Sequence, residues 1–276
     1  MRIGYPCINR TIDCRGDRTF RLASYSRERL YETVGGNLAC LQRILSWNRD
    51  AGLLFFRISS DLVPFASHPI CTHPWQDHFA AEFAVLGTFI RENGIRISMH
   101  PDQFIILNAR DEKIVARSIA ELTYHVEVLD GMGLDTTAKI QLHVGGVYGD
   151  REESRERFVR VYEHLDPSIH RRLVIENDEQ RYSAADCLAI HERTGIPVLF
   201  DVFHHSCNND GESLGDVLTS VGKTWSSRDG LPMVDYSSQH PEKRPCSHAE
   251  HIDTGDFSAF LVQSQPHDFD IMLEIK

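Results

Sequence analysis

The sequence predicts an α/β protein, a single-domain (β/α)8 TIM barrel spanning residues 1–276. Three observations predict it. Short apolar runs recur along the whole chain, separated by stretches with helical spacing of apolar residues; such alternation builds a parallel sheet. Runs such as Leu173-Val174-Ile175 and Val198-Leu199-Phe200 show no polar alternation, as strands buried on both faces require. Eight such runs occur with seven helices between them, and eight βα units in about 250 residues close into a barrel.

The first strand covers 2–8, and the loop after it, 9–26, carries Arg10, Arg15, Arg18 and Arg21. A helix over 27–51 places Leu30, Val34, Leu38, Leu41, Ile44 and Leu45 on one face, and Gly52 ends it. The second strand is 53–58, followed by Ser59, Ser60 and a loop through His68; a helix over 75–91 stops at Asn93-Gly94. The third strand, 95–99, runs straight into His100-Pro101-Asp102-Gln103-Phe104. After a helix at 111–129, the fourth strand at 138–142 ends in His143 and precedes Gly145-Gly146, which reads as a tight turn because phosphate-cradle spacing is absent. A helix at 152–165 leads to the fifth strand at 172–175 and Glu176. Ser183 caps a helix running to 194, and the sixth strand at 198–200 ends in Asp201. A helix at 213–225, a seventh strand at 231–234 ending in Asp235, a short helix at 256–263 and an eighth strand at 270–273 ending in Glu274 complete the series. The final closing helix is missing or truncated, which leaves the seam between strands 8 and 1 partly uncovered.

Composition narrows the function. Apolar residues make up 41% and charged residues 25%, and the net charge is −11, against a generally basic nucleic-acid binder but not against a local basic face. None of the seven cysteines forms a C-x-x-C pair, so they read as reduced, in a cytoplasmic protein. No apolar run approaches the roughly 20 residues needed to span a bilayer, and no signal segment precedes the first strand.

In a barrel, the strand ends converge on one mouth. There stand Tyr5 and Asn9, Ser59 and Ser60, His100, His143, Glu176, Asp201 with His204, Asp235 and Glu274. His68 lies in the loop after the second strand and His248 close behind the seventh. Taken singly, each has an ordinary explanation: His100 caps a strand, and Glu176 pairs with an internal arginine. Together they differ, because four crowded carboxylates repel unless cations are present. Mixed imidazole and carboxylate ligands suit Zn, Mn or Fe, and the set is large enough for two or three ions. His78, His125, His164, His170 and His191 fall in helical segments or their flanks and read as surface residues, while His205 reads as support for the ligands.

At these residues the chain resembles the UV damage endonucleases, and more distantly the endonuclease IV repair nucleases. The resemblance runs from Gly4-Tyr5-Pro6 to Leu273-Glu274. It is carried by Arg57-Ile58-Ser59-Ser60 with Pro64, by Met99-His100-Pro101-Asp102-Gln103-Phe104 and by Leu142-His143-Val144-Gly145-Gly146. Ile175-Glu176-Asn177-Asp178, Asp201-Val202-Phe203-His204-His205, Asp235-Tyr236-Ser237-Ser238-Gln239 and Ser247-His248 continue it in the same order.

The resemblance implies a metal-dependent nuclease that nicks double-stranded DNA on the 5′ side of cyclobutane dimers and 6-4 products, with abasic sites as a further candidate. It implies Mn2+, with Zn2+, Mg2+ or Co2+ as alternatives, and a monomer, nucleoid-associated if bacterial. By the family pattern His100, His143 and Glu176 hold one ion. Glu176, Asp201, Asp235 and Glu274 hold a second, and His204 with His248 a third. Glu176 and His68 are the implied catalytic residues, Gln103 and Phe104 the pair inserted opposite the lesion, and Tyr5 and Asn9 the contacts to the flipped-out nucleotides; Arg10, from the arginine-rich loop, is a further candidate DNA contact. Two departures matter: Met233 stands where many members have a lysine, which puts the third ion in doubt, and Phe104 replaces the tyrosine of some.

The residues support this chemistry independently. Phosphodiester hydrolysis needs an activated water, a neutralised phosphate and a stabilised leaving group, all within reach of two or three cations. Unstacking costs less at a distorted lesion, which gives selectivity without base-specific contacts, and an exposed aromatic serves as a wedge. The arginines of 10–21, with Arg57 and Arg110, are candidates to grip phosphates. Two other readings stay open: an Mn-dependent sugar isomerase or epimerase, and a damage-binding protein without cleavage.

Overall fold

In the computed structural model, which describes residues 1–275, eight parallel strands close a barrel in sequence order. They are β1 (Ile3–Pro6), β2 (Phe55–Ile58), β3 (Arg96–Met99), β4 (Lys139–His143), β5 (Leu173–Glu176), β6 (Val198–Asp201), β7 (Met233–Tyr236) and β8 (Asp270–Leu273). Closure is made by β8 against β1, with Gly4 opposite Met272 on one side and Phe55 on the other. A Cβ on Gly4 would lie 2.0 Å from the Phe55 carbonyl oxygen, so only glycine lets β1 approach β2 there.

The helices are α1 (Arg27–Asp50), α2 (Trp75–His78), α3 (Ala80–Glu92), α4 (Glu112–Gly131), α5 (Arg151–Glu163), α6 (Pro167–His170), α7 (Ala184–Thr194), α8 (Val202–Cys207), α9 (Leu214–Gly222) and α10 (Thr254–Gln263). The face expected of α1 is the one buried, from Leu30 to Leu45. Ser183 closes a full capping box with Asp186 at the start of α7. Sequence spacing misses α6 and α8, both under two turns, because so short an element carries no readable period. The helix expected over 75–91 is two, broken at Phe79.

Side chains stack inside the barrel in layers. Arg96 pairs with Asp270 at 2.9 Å and Lys139 with Asp229 at 2.6 Å at the bottom. Phe55, Val174, Leu199, Met233 and Met272 pack together above them, all fully buried. Burying each contributes about 1.5–3 kcal/mol, and the layer seals the mouth from below. Arg57, Gln141, Glu176, Asp201 and Asp235 sit two residues further along their strands and form the polar floor of the mouth. Among the described residues no helix follows β8, and a cavity of 600 Å³ lined by Ile3, Tyr5, Trp47, Leu53, Leu273 and Ile275 lies at the seam. No helix among the described residues is long and apolar enough to cross a membrane.

Three expectations are corrected. The cysteines are not all reduced: Cys14 pairs with Cys40 and Cys207 with Cys246, leaving Cys7, Cys71 and Cys187 free. Their Cα atoms lie 5.7 and 6.0 Å apart, a proximity made by the fold rather than by local spacing. His125 is not a surface residue but fully buried, its Nδ1 bonded to the Glu121 carbonyl at 2.7 Å. Arg57 is not on a phosphate-binding face; it lies inside the barrel, 4% exposed.

Candidate metal centre at the barrel mouth

His100 follows β3 directly. Its Nδ1 donates to the Pro101 carbonyl at 2.7 Å, and its Nε2 points to Glu176 Oε2 at 3.5 Å. Tying Nδ1–H to a carbonyl selects the tautomer that offers Nε2 to a cation. His143, at the end of β4, brings its Nε2 within 3.9 Å of the same oxygen. Glu176 ends β5 and is 1% exposed.

Asp201 ends β6 and is also the N-cap of α8. Its Oδ1 accepts the His204 backbone N–H at 2.7 Å, which fixes the carboxylate and sets His204 one turn on. The Asn177 side chain clamps the Asp201 backbone from both sides, donating to its carbonyl and accepting from its N–H, each at 2.9 Å. His204 Nδ1 then lies 3.4 Å from both Glu176 Oε1 and Asp201 Oδ2. On β7, Asp235 Oδ2 accepts from Arg57 at 2.6 Å and Gln141 at 2.8 Å. Glu274, just after β8, accepts from the other arm of Arg57 through Oε1, and its Oε2 is 4.0 Å from His248 Nδ1.

Ligand atoms converge in three groups: His100, His143 and Glu176; Glu176, Asp201 and His204; Asp201, Asp235 and Glu274. The first group is the one expected. The other two differ from the expected sets, because the α8 cap turns His204 toward Glu176 and Asp201. His248 stacks edge-on against His204 at 5.4 Å and borders Glu274 instead of completing a third group. The donors fit divalent ions. Asp201 Oδ2 and Asp235 Oδ1 are buried oxygens without a hydrogen-bond partner, an arrangement that is costly unless a cation takes them.

The electrostatics show an excess of negative charge. Burial, reinforced by Glu176, Glu274 and Asp235 and opposed by His204, pushes Asp201 well above the usual carboxylate range. Burial likewise lifts Asp235 to about 7 against the pull of Arg57. Burial opposes charge on His204, yet Asp201 and Glu176 outweigh it and draw the imidazole up to about 11. Glu176 resists burial because His143, His100 and His204 surround it, which holds it well below its ordinary value. Burial also works against Glu274, and Arg57 overcomes it, holding the carboxyl at about 2. Groups that keep protons for want of positive charge release them to a metal ion.

The remaining expected residues lie around this centre. Phe104 is 73% exposed and Gln103 exposed beside it, at the rim of a 1020 Å³ cavity that also includes His143, Tyr148, Arg117 and Arg181. Tyr5, Asn9 and Arg10 line the seam cavity; Asn9 donates to the Tyr5 hydroxyl at 2.7 Å, which donates to Asn48 at 2.6 Å. His68 is exposed in the loop after β2, its Nδ1 accepting from Ile70 N–H at 3.1 Å, outside the three groups. Arg10, Arg15, Arg18 and Arg21 are exposed on a loop that the Cys14–Cys40 bond fastens to α1. Arg110 is exposed, donating to the Tyr148 carbonyl at 2.6 Å. His205 is buried against Phe200, its ring 5.2 Å away.

Sequence reasoning missed Gln141 and Asn177. Gln141 had a signal: a lone amide inside the run Lys139-Ile140-Gln141-Leu142-His143, in phase with the inward-facing His143. Asn177 had only its place beside Glu176.

The family model described as UV-endonuclease UvdE matches residues 1–276. The UV DNA damage endonuclease of Clostridium perfringens (strain 13 / Type A) is 39% identical over 278 residues, covering all of this chain and 68% of that protein. The crystal structure of SacUVDE superposes with a TM-score of 0.96 at 46% identity, covering 100% of this chain and 93% of the other. Endonuclease IV from Thermus thermophilus matches at a TM-score of 0.60 and 16% identity, covering 100% and 93%, a likeness of fold alone.

Proposed function

The chain belongs to the UV-endonuclease UvdE family and is a DNA repair endonuclease, and we propose that it hydrolyses the phosphodiester immediately 5′ to ultraviolet photoproducts with the help of divalent ions at the barrel mouth. The observation that carries this reading is the pair of buried, unpartnered oxygens, Asp201 Oδ2 and Asp235 Oδ1, set among imidazoles and carboxylates from six strand ends. His100, His143 and Glu176 would hold one ion, and Glu176, Asp201 and His204 another. Bound ions, Mn2+ foremost, would acidify a water and neutralise the phosphate.

The protein's own residues do the rest. Glu176 belongs to both groups and fixes their separation. Phe104 stands far enough into solvent to enter a base stack, with the Gln103 amide beside it to fill the vacated space. A lesion that is already unstacked meets this wedge at lower cost than intact duplex. Tyr5, Asn9 and Arg10 line a cavity that suits extruded nucleotides. His68, exposed on its loop, would meet the substrate as a further active-site residue, and the arginines of 10–21, exposed on theirs, would grip phosphates on an otherwise acidic protein. Abasic sites, equally easy to open, belong to the same substrate range, and a monomer acting on chromosomal DNA suffices.

Neither rival reading has a specific observation in its favour. Met233, whose loss of a basic group suggested a disabled site, lies in the apolar layer below the mouth and leaves the three groups intact. The test is nicking of ultraviolet-irradiated supercoiled plasmid in Mn2+, with the ends mapped. Cleavage 5′ to the lesion, abolished by chelation, is expected; lesion binding with no cleavage in excess Mn2+ would overturn the reading.

A further inference from the structure

We propose that Asn37 is a positioning residue for DNA binding: it fixes the backbone of Arg18 so that this guanidinium takes a backbone phosphate of the bound duplex. The inference rests on the reading of the 10–21 arginines as a phosphate grip, and adds which arginine does so and what holds it.

Asn37 stands in the buried stripe of α1, three residues after Val34 and four before Leu41, where the helical pattern calls for an apolar side chain. It is fully buried. A buried amide is costly unless its polar atoms are bonded, and those of Asn37 bond to loops. Its Oδ1 accepts the Arg18 backbone N–H at 3.0 Å, and its Nδ2 donates to the Arg18 carbonyl at 3.0 Å. The same Nδ2 donates to the carbonyls of Asp61 and Leu62, each at 3.1 Å. One side chain thus clamps Arg18 on both backbone groups and ties it to the segment that follows β2. Other contacts seat the loop along α1 and against its neighbour. Arg43 donates to the Asp13 carbonyl at 3.3 Å, Cys14 is bonded to Cys40, and Phe20 meets Phe65 edge-on at 5.2 Å.

The backbone is held, but the side chain is not. A loop that follows a barrel strand lies on the face of the mouth. There Arg18 is exposed and lines a cleft of 410 Å³ with Arg15, Asp17, Thr19, Arg29 and Glu32. Arg15 gives two hydrogen bonds to Asp17, at 3.0 and 2.8 Å. Arg29 lies 3.4 Å from Glu32 and stacks over the Phe20 ring at 6.0 Å. The Arg18 guanidinium has no partner among the described residues. The other four charges of the cleft cancel, and the one left over matches the single negative charge of a phosphodiester. The Thr19 hydroxyl beside it is a second donor of suitable chemistry. An arginine on a loose loop loses backbone freedom when it binds; one whose backbone is already clamped does not, so more of its attraction for phosphate appears as affinity.

The experiment measures the salt dependence of binding. Fluorescence anisotropy follows a lesion-bearing duplex and its intact counterpart over a range of salt concentrations, with chelator present to prevent cleavage. Arg18→Gln is expected to weaken both duplexes alike and to make log affinity against log salt shallower by about 0.9, the share of one phosphate. Arg18→Lys should keep the wild-type slope. Asn37→Ala should flatten the slope as Arg18→Gln does, and the double variant should go no further. An amide with only a structural role would leave the slope at its wild-type value and the two substitutions additive, which overturns the part given to Asn37. A wild-type slope in Arg18→Gln, with a shallower one in Arg10→Gln or Arg21→Gln, overturns the inference and leaves the arginine-loop reading intact. Wild-type slopes in all three overturn both. If Asn37→Ala does not fold, hydrogen exchange in the wild type decides its part. The Arg18 amide, which donates to a buried acceptor, should exchange far more slowly than that of Arg21, and equal rates overturn the clamp.

Discussion

Asp201 holds His204 in place through one oxygen and leaves the other open: Oδ1 accepts the His204 backbone N–H at 2.7 Å, while Oδ2, 3.4 Å from the His204 ring, has no hydrogen-bond partner. One residue thus caps a helix and belongs to two groups that could hold a metal ion. The two roles separate by substitution. Asp201→Asn keeps a good cap, and Asp201→Ala loses it at a cost of about 1 kcal/mol. Both should lower metal affinity by about 10- to 100-fold or more, but only the alanine variant should show the added loss in urea unfolding of metal-free protein. Equal stability of the two would refute the capping role.

Glu176 is shared by two of the three groups. Glu176→Gln keeps its shape and removes the charge. Nicking of irradiated plasmid should fall by at least about 100-fold, and raising Mn2+ should not restore it. Full activity at high Mn2+ would remove Glu176 from the centre.

Phe104 is 73% exposed, so truncating it should change stability by no more than about 0.5 kcal/mol. Phe104→Ala should weaken binding to a lesion-bearing duplex by about 1–3 kcal/mol, the usual worth of base–aromatic stacking. Fluorescence anisotropy on damaged and intact duplexes checks it, and equal losses on both would mean that Phe104 is not a wedge.

Burial, against the pull of the Glu121 carbonyl, lowers His125 from 6.5 to about 4. Its folded pKa lies below its unfolded one, so the stability it contributes is complete above pH 6.5 and disappears as pH falls through 4. The full loss is about 3 kcal/mol. His125→Gln should flatten the slope of urea stability between these limits relative to wild type. An identical slope in both would show that another group is responsible.

Only Cys7, Cys71 and Cys187 are free. A thiol assay on protein unfolded without reductant should therefore count three, and after reduction seven. Reduction should also loosen the loop bearing His248, which Cys246 ties to α8. Seven thiols without reductant would restore the reading of an all-reduced protein.

The sequence by itself determined the barrel and most of its mouth. Buried parallel strands announce themselves as apolar runs, and the residue that ends each run, such as Glu176 after Ile175, needs no tertiary knowledge to be placed at the C-terminal face. Side-chain alternation would have placed Gln141 on the same inward face as His143. What only the tertiary structure decided is which of these residues meet. Arg57 finds Asp235 and Glu274 across 178 and 217 residues of chain, and Cys207 finds Cys246 across 39. His125, in a helix whose polar neighbours suggest an exposed face, is buried against Ser60. These pairings follow from barrel closure and strand register, which bring together positions far apart in sequence. The strand ends could be read locally, but which imidazoles and carboxylates meet, and which carboxylates Arg57 holds, depends on the interior they share.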